Sequence, residues 1–264
     1  DIVKIEIETL TDEAINTSLI EGEILKRESV HSSFRKKLDK DFDARNDKYS
    51  TAATDNLVEI LIDSNLNKSN LNLERLHGWN NCLFEHTQYS KLNKIDIAKF
   101  RIHSDMEVVS GAIGHEKVHY KAIPVEKIYE NIENFLKYCN ESSENIYIKA
   151  AIVHIWFVII HPYDDGNGRI ARAITDYILS KNSSNTEFKL YSISTAINKD
   201  RKAYYDILDK TTNLFLNKDF DLTSWLIWHL NILNNAMKQS LKNIEYLIQK
   251  TKFWDKHRSK ALNE

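Results

Sequence analysis

Proline and glycine are scarce in this chain, which has 264 residues but only 2 Pro and 6 Gly. Both residues are common in turns and hairpins, so their scarcity predicts long helices and few hairpins. The length suffices for one large core or for a domain with appendages. We therefore expect a mostly α-helical chain.

Cysteines, membrane-spanning runs and an excess of charge are also lacking. Cys82 and Cys139 each lie in an apolar helical pattern, where reduced core thiols are expected rather than a disulfide. No secretory signal is present, and the most apolar run, residues 150–160, is too short to cross a bilayer. The 36 Lys and Arg nearly balance the 38 Asp and Glu, so no global basic field points to nucleic acid. These features predict a cytoplasmic protein with no membrane partner.

One stretch, HPYDDGNGRIAR at residues 161–172, concentrates chemically useful side chains directly after that apolar run. Pro162 cannot continue a helix, so the buried helix is expected to stop here. Gly166 and Gly168 allow a tight turn that exposes backbone N–H groups, and a helical pattern resumes after Gly168. The loop is therefore predicted at a helix N-terminus, which attracts anions.

The side chains of this stretch suit phosphate chemistry. His161 is a base that can be neutral near pH 7, and Asp165 offers the hard oxygen that magnesium prefers. Arg169 and Arg172 lie three residues apart, on nearly one helix face, where both can clamp phosphate oxygens. An ordinary turn would explain DDGNG alone, but not the His-Pro start or the paired Arg. The acid spacing of an EF-hand and the Gly-Lys of a Walker loop are absent.

The stretch resembles the signature of Fic-domain proteins, His-Pro-Phe-x-Asp/Glu-Gly-Asn-Gly-Arg-x-x-Arg, with Tyr163 where Phe is usual. The resemblance implies an all-α fold, a Fic-type helical core with one β-hairpin flap. It also implies Mg²⁺-dependent transfer of AMP from ATP to a Ser, Thr or Tyr hydroxyl of a target protein.

The resemblance assigns a role to each member of the stretch. His161 would take the hydroxyl proton, and Asp165 would bind Mg²⁺ between the α- and β-phosphates. The other members would hold ATP: the backbone donors of Gly166, Asn167 and Gly168 together with the Asn167 amide, Arg169 beside the leaving pyrophosphate, and Arg172 on the γ-phosphate. An ordinary His titrates between about pH 5 and 8, so activity is expected to fall across that range on acidification.

A helix is predicted over about residues 11–22, with Thr11 as its N-cap and Gly22 as its stop. Residues 1–10 alternate between apolar and polar and are expected to form a short strand or an extended arm. The segment after the helix, residues 23–38, is expected to be a helical pair.

Within that first helix, Thr17-x-x-x-Glu21-Gly22 is similar to the inhibitory motif Ser/Thr-x-x-x-Glu-Gly/Asn of many Fic enzymes. The resemblance implies that Glu21 pairs with Arg172 and removes the cation that should hold the γ-phosphate. Losing one such clamp can lower a rate by orders of magnitude. A solvated Glu on a surface helix is the alternative interpretation.

A hairpin is predicted over about residues 107–121, where short β-branched runs flank a Gly-containing turn. Pattern alone is equally consistent with a small decorative hairpin. In Fic proteins a hairpin at this place forms a flap that holds the target segment by main-chain pairing. The resemblance therefore implies target docking by Val108, Val109, Lys117, Val118, His119 and Tyr120.

Three further predictions concern the remaining helices. His77 and His154 are expected to be hydrogen-bonded core histidines rather than metal ligands. A single helix is expected over 197–213, and the resemblance makes Tyr204 and Tyr205 candidates to contact adenosine, one of them facing the core. A long C-terminal helix over 221–248 is expected to pack on the bundle along an apolar stripe that includes Leu241 and Ile248, with Trp228 off the stripe. Its extra apolar face could pair two copies in a homodimer.

The ending FWDKHRSKALNE is similar to the lead-in to a winged-helix domain of some Fic proteins, so both ends are expected to be trimmed. Nucleic acid would then be a partner only through that missing domain. We divide the chain into an N-terminal segment at 1–50, a Fic core at 51–215 and a C-terminal helix at 216–264.

Two other functions remain open from the residues. The same scaffold can transfer UMP or another phosphate-containing group, or remove AMP with Glu21 positioning a water. Outside enzymes, the chain can be a regulatory module that binds a nucleotide without turning it over.

Overall fold

The chain is almost entirely helical in a computed structural model, which describes residues 2–85, 96–103, 107–110, 117–181, 189–213 and 217–257. The α-helices are α1 (Ile2–Ile20), α2 (Arg27–Leu38), α3 (Ala52–Leu66), α4 (Leu73–Phe84), α5 (Ile128–Glu141), α6 (Ile146–Ile160), α7 (Asn167–Ser180), α8 (Ile193–Lys199), α9 (Arg201–Thr212) and α10 (Thr223–His257). Short 3-10 turns span Ala44–Asn46 and Val125–Lys127. The predicted all-helical class is confirmed.

Helix α6 is the centre of the core, as its sequence predicts. Its apolar run leaves almost no polar face, and the helix packs against α5, α7 and α10. The helix ends at Ile160, directly before His161 and Pro162. This packing fixes the 161–172 stretch, because α6 ends directly before it and its second half forms the start of α7.

The first helix differs from its prediction. Residues 1–10 do not form a strand: α1 begins at Ile2, and Thr11 lies inside the helix, where its Oγ1 donates to the carbonyl of Ile7 at 2.7 Å. Apolar side chains at Ile7, Leu10 and Ala14 are buried at helical spacing, so tertiary packing overrides the short alternating pattern.

The predicted stop at Gly22 is confirmed. The helix ends at Ile20, and Gly22 has φ +85°, a left-handed conformation that favours glycine. The N–H of Glu23 donates to the carbonyl of Ser18 at 2.9 Å, and the N–H of Gly22 donates to Leu19 at 3.0 Å. This pair of bonds is a Schellman motif, which turns the chain sharply after α1.

Two other helical predictions need correction. Residues 23–38 contain one helix, α2, rather than a pair. The helix expected over 197–213 is divided into α8 and α9 at Asp200, whose side chain accepts from the N–H of Ala203 at 3.1 Å. A cap at this point starts a second helix in a new direction.

Two short strands interrupt the helical order. Strand β1 (Glu107–Ser110) pairs antiparallel with β2 (Lys117–Lys121), and Val108 lies opposite Tyr120. Residues 104–106 and 111–116 and the side chains of both strands lie outside the described residues. The pairing does not show a flap, so the docking role of residues 107–121 stays a prediction.

Helix α10 packs on the bundle only through its first half. Trp225, His229, Ile232, Leu233 and Ala236 are buried, whereas later apolar residues such as Leu241 and Ile248 are 60% and 48% exposed. The predicted packing of the whole stripe is therefore wrong, and the exposed face leaves a homodimer as a prediction. Trp228 is not off the stripe, since it stacks on Trp225 and Tyr204. Among the helices described, none is long and apolar enough to cross a bilayer.

Candidate active site

The loop between α6 and α7 is fixed at its start by a buried arginine. His161 has φ +46°, and its N–H donates to the carbonyl of Phe157 at 3.0 Å to close α6. Arg101 is 1% exposed; its Nε donates to the carbonyl of His161 at 2.7 Å, and its backbone N–H donates to Pro162 at 2.9 Å. Arg101 therefore holds both residues of the His-Pro pair in place.

The next part of the loop is held by Asn167. Its Oδ1 accepts from the N–H of Tyr163 at 3.0 Å, and its Nδ2 donates to the Tyr163 carbonyl at 2.7 Å. The Asn167 side chain, 2% exposed, thus shapes the loop. The prediction that its amide contacts ATP is wrong, because both amide atoms bond to Tyr163. The hydroxyl of Tyr163 lies 3.0 Å from Nδ1 of His77, so the Tyr in place of Phe has a hydrogen-bond partner. His77 is hydrogen-bonded as predicted, but it is half-buried rather than in the core.

Asp165 is the candidate magnesium ligand. Asn80 supports its backbone by donating from Nδ2 to the Asp165 carbonyl at 3.2 Å. Burial raises the pKa of the Asp165 carboxyl, against the opposing charge of Arg169. In the described part of the chain, no three His, Cys, Asp or Glu side chains gather to hold a metal. One carboxylate fits magnesium nonetheless, because this ion commonly takes its other ligands from phosphates and water.

Backbone at the N-terminus of α7 forms a close-fitting cradle. Gly166 has φ +83°, and a Cβ there would lie 2.8 Å from Leu83 Cδ1. A Cβ on Gly168 would lie 2.2 Å from Oε1 of Glu21, so the Glu21 carboxylate lies directly against this backbone. A helix N-terminus favours such an anion through its free N–H groups and dipole.

The structure brings the two predicted motifs together at Arg172. This side chain is 2% exposed, and its Nη2 donates to Glu21 Oε1 at 2.6 Å. Thr17 completes the contact: its Oγ1 accepts from Arg172 Nε at 2.7 Å, and its carbonyl accepts from Nη2 at 2.9 Å. Burial raises the pKa of Glu21, but the Arg172 charge and hydrogen bond outweigh this effect and hold that pKa below its ordinary value. The pair is ionised at neutral pH.

The other arginine has a partner that the sequence did not indicate. Arg169 Nη1 donates to Oε2 of Glu23 at 2.7 Å. Glu23 lies just past the inhibitory motif, so no motif position pointed to it. Both arginines of the 161–172 stretch are thus paired with carboxylates of the turn after α1.

The imidazole of His161 is set up as a neutral base. Its Nδ1 lies 3.3 Å from the carbonyl of Val158, a contact that leaves Nε2 as the acceptor when Nδ1 carries the proton. Burial lowers the pKa of His161 to about 4, and the nearby charge of Arg101 acts in the same direction. The side chain is therefore unprotonated at neutral pH.

Tyr204 and Tyr205 separate into a core residue and a site residue. Tyr204 is 2% exposed, and its hydroxyl lies 3.1 Å from Nε2 of His154. Because Nδ1 of His154 lies 3.2 Å from Thr175 Oγ1, the predicted buried role of His154 is confirmed. The hydroxyl of Tyr205 instead donates to the carbonyl of Ile20 at 2.7 Å, beside the end of α1. Tyr205 is the remaining candidate for an adenosine contact.

The helical bundle thus brings a helix N-terminus, an imidazole and two arginines together at the 161–172 stretch. Residues 70–179 match the Fic/DOC family, and residues 1–39 match a domain of unknown function, DUF4172. Residues 70–179 are therefore similar to a Fic/DOC domain.

Other known proteins are similar to this chain in sequence or in fold. A 58-residue segment is 38% identical to a probable protein adenylyltransferase of Aquifex aeolicus, and the match covers 22% of this chain and 18% of that protein. A crystal structure of a Fic family protein from Desulfovibrio desulfuricans has a TM-score of 0.65 at 19% identity over 90% of this chain and 66% of that one. A Fic domain containing signaling protein from Bacteroides thetaiotaomicron has a TM-score of 0.65 at 18% identity over 90% and 86%.

Proposed function

We propose that this chain is a protein adenylyltransferase that transfers AMP from ATP to a Ser, Thr or Tyr hydroxyl of a target protein. The observation that carries the proposal is the neutral imidazole of His161 beside the cradle at the start of α7. Arg169 and Arg172 lie on the same helix start and supply two cations for a polyphosphate. A relative named as a probable protein adenylyltransferase supports the choice of AMP.

The proposed chemistry is an in-line displacement. Nε2 of His161 accepts the proton of the target hydroxyl while its oxygen attacks the α-phosphorus. The bond from that phosphorus to the bridging oxygen breaks, and pyrophosphate leaves. Backbone N–H groups of Asn167 and Gly168 and the arginines stabilise the phosphate charge. The N–H of Gly166, also predicted to hold phosphate, instead donates to Oδ1 of Asp165 at 2.5 Å. Magnesium bound by Asp165 and the phosphates would lower the charge on the nucleotide.

Inhibition by Glu21 is part of the proposal. Its carboxylate forms an ion pair with Arg172 and lies against Gly168, where phosphate oxygens of ATP would bind. A triphosphate in the productive position would meet both a steric obstacle and a like charge. The flap predicted at residues 107–121 is proposed to hold the target chain by main-chain pairing with a strand.

The label retained on protein tests the reaction. A Glu21→Gly variant incubated with ATP labelled at the α-phosphorus is expected to become labelled, whereas ATP labelled at the γ-phosphorus gives no label. Label from the γ-position would indicate phosphate transfer, and equal labelling from α-labelled UTP would contradict a preference for AMP. No label from any of the three would contradict a transferase.

The pH profile follows from the buried imidazole. Because the pKa of His161 is lowered to about 4, the base is unprotonated over the whole range above that value. The loss of activity expected for an ordinary imidazole therefore moves to lower pH. The kcat/KM of the Glu21→Gly variant, which reports the pKa of the free enzyme, is expected to stay nearly level from about pH 8 to 5 and to fall below that range. A midpoint near the ordinary His value would contradict this shift.

A further inference from the structure

The turn after α1 carries two carboxylates rather than one. Glu21 and Glu23 lie on either side of Gly22, whose left-handed conformation belongs to the Schellman motif. The side chain of Glu21 contacts Arg172, and that of Glu23 contacts Arg169. The sharp turn thus directs both acids to the start of α7.

The two arginines are matched in position. Arg169 and Arg172 are three residues apart, so both project from nearly one face of α7. The side chain of Arg169 is 11% exposed and its guanidinium lies 5.2 Å from the ring of Phe84. Its Nε has no hydrogen-bond partner among the residues described, and Glu23 is the carboxylate that neutralises its other end. Arg169 is therefore a nearly buried cation, and its ion pair among the residues described is with Glu23, which is 42% exposed. The charges of Glu21 and Asp165 act on it as well.

We infer that Glu23 is a second inhibitory carboxylate, which withdraws Arg169 from the phosphate site as Glu21 withdraws Arg172. The inference rests on the proposed function. It makes the turn after α1 a double block, in which each acid occupies one of the two cations that a polyphosphate requires. Removing Glu21 alone then leaves Arg169 still paired, so the Glu21→Gly variant is only partly released.

The affinity for Mg-ATP measures this second block directly. In the Glu21→Gly background, adding Glu23→Gln is expected to lower the Kd for Mg-ATP about two- to fivefold, the range for breaking a partly exposed ion pair. Gln keeps the shape of the side chain and removes only its charge. Isothermal titration calorimetry gives the Kd without requiring turnover.

A matched control separates inhibition from loosening of the N-terminal segment. Glu8 lies on α1 and accepts from Arg27 at 2.6 Å, away from Arg169 and Arg172. Glu8→Gln in the same background removes an Arg partner of similar exposure to Glu23 and is expected to leave the Kd unchanged. A purely structural role for Glu23 would lower the melting temperature and leave the Kd where it was, which would overturn the inference.

The two proposals fail in different ways. Tighter Mg-ATP binding by the Glu21→Gly/Glu23→Gln double variant, without any transfer of α-label, supports the block by Glu23 and contradicts the adenylyltransferase. Transfer of α-label with the same Kd in the double variant and in Glu21→Gly supports the adenylyltransferase and overturns the role of Glu23.

Discussion

Replacing Glu21 with Gly is expected to raise transfer of AMP onto the protein itself by about 10²- to 10³-fold, the scale on which one positioned charge contact changes a rate. The physical reason is the site that this carboxylate occupies. It holds the nearly buried guanidinium of Arg172 at 2.6 Å and lies against the backbone of Gly168. Without it, a phosphate can take both the cation and the space. Incorporation of α-label from ATP over time measures the change.

The substitution itself is well tolerated by the local structure. Helix α1 ends at Ile20, so glycine at position 21 lies outside the helical interior, where it would be costly. Glu21→Gln provides a second test, because it keeps the bulk beside Gly168 while removing the charge. A smaller rise with Gln than with Gly would show that both charge and space matter. Unchanged or lower transfer in both variants would contradict inhibition by Glu21.

Much of the site could be predicted because its parts are local. The end of α6 before Pro162, the cradle at Gly166 and the stop at Gly22 each depend on the conformational limits of one residue. The contact between Glu21 and Arg172 spans 151 positions, and it was reached only through the resemblance of two motifs. Spacing alone contains no signal for a contact of that length.

Residues that the sequence did not indicate share a different property. Arg101 and Asn80 act on backbone carbonyls of the loop, at His161 and Asp165, and they do so through tertiary packing. A side chain that bonds to a backbone carbonyl leaves no pattern along the chain, since every residue offers one. The strand expected at residues 1–10 failed for a related reason: α2 and α8 pack against a helical face that buries Ile7 and Leu10, whereas Val3 of the alternating run stays exposed.

For the half of α10 beyond residue 237, the sequence predicted packing that the structure does not show. The helix itself was predicted correctly. Periodicity shows which face of a helix is apolar, but it does not show whether another element packs on that face. Leu241, Ile248 and Trp254 remain exposed in the described chain. Whether such a face is buried depends on how far the other helices of the bundle extend along α10, which is a property of the whole fold.

Replacing His161 with Ala in the Glu21→Gly background is expected to reduce AMP transfer by about 10²- to 10⁴-fold, the usual contribution of a positioned general base. The neutral imidazole, with a pKa lowered to about 4 by burial, is the candidate proton acceptor at the mouth of the cradle. Initial rates with α-labelled ATP measure the loss. His31→Ala is a suitable control, since His31 lies on α2 and its imidazole contacts Glu8 of α1 rather than the cradle.

If His161 acts only as a base, its replacement must lower the rate of AMP transfer without weakening the binding of Mg-ATP. The phosphate contacts proposed here belong to the cradle backbone, Arg169 and Arg172, so His161→Ala should bind Mg-ATP with nearly the same Kd while losing transfer. Because His161 has φ +46°, His161→Asn is the better-matched change for the backbone, as Asn tolerates that conformation. If both variants lose affinity together with transfer, His161 shapes the loop rather than accepting a proton. If either keeps full transfer, the proton goes elsewhere and the proposed chemistry is wrong.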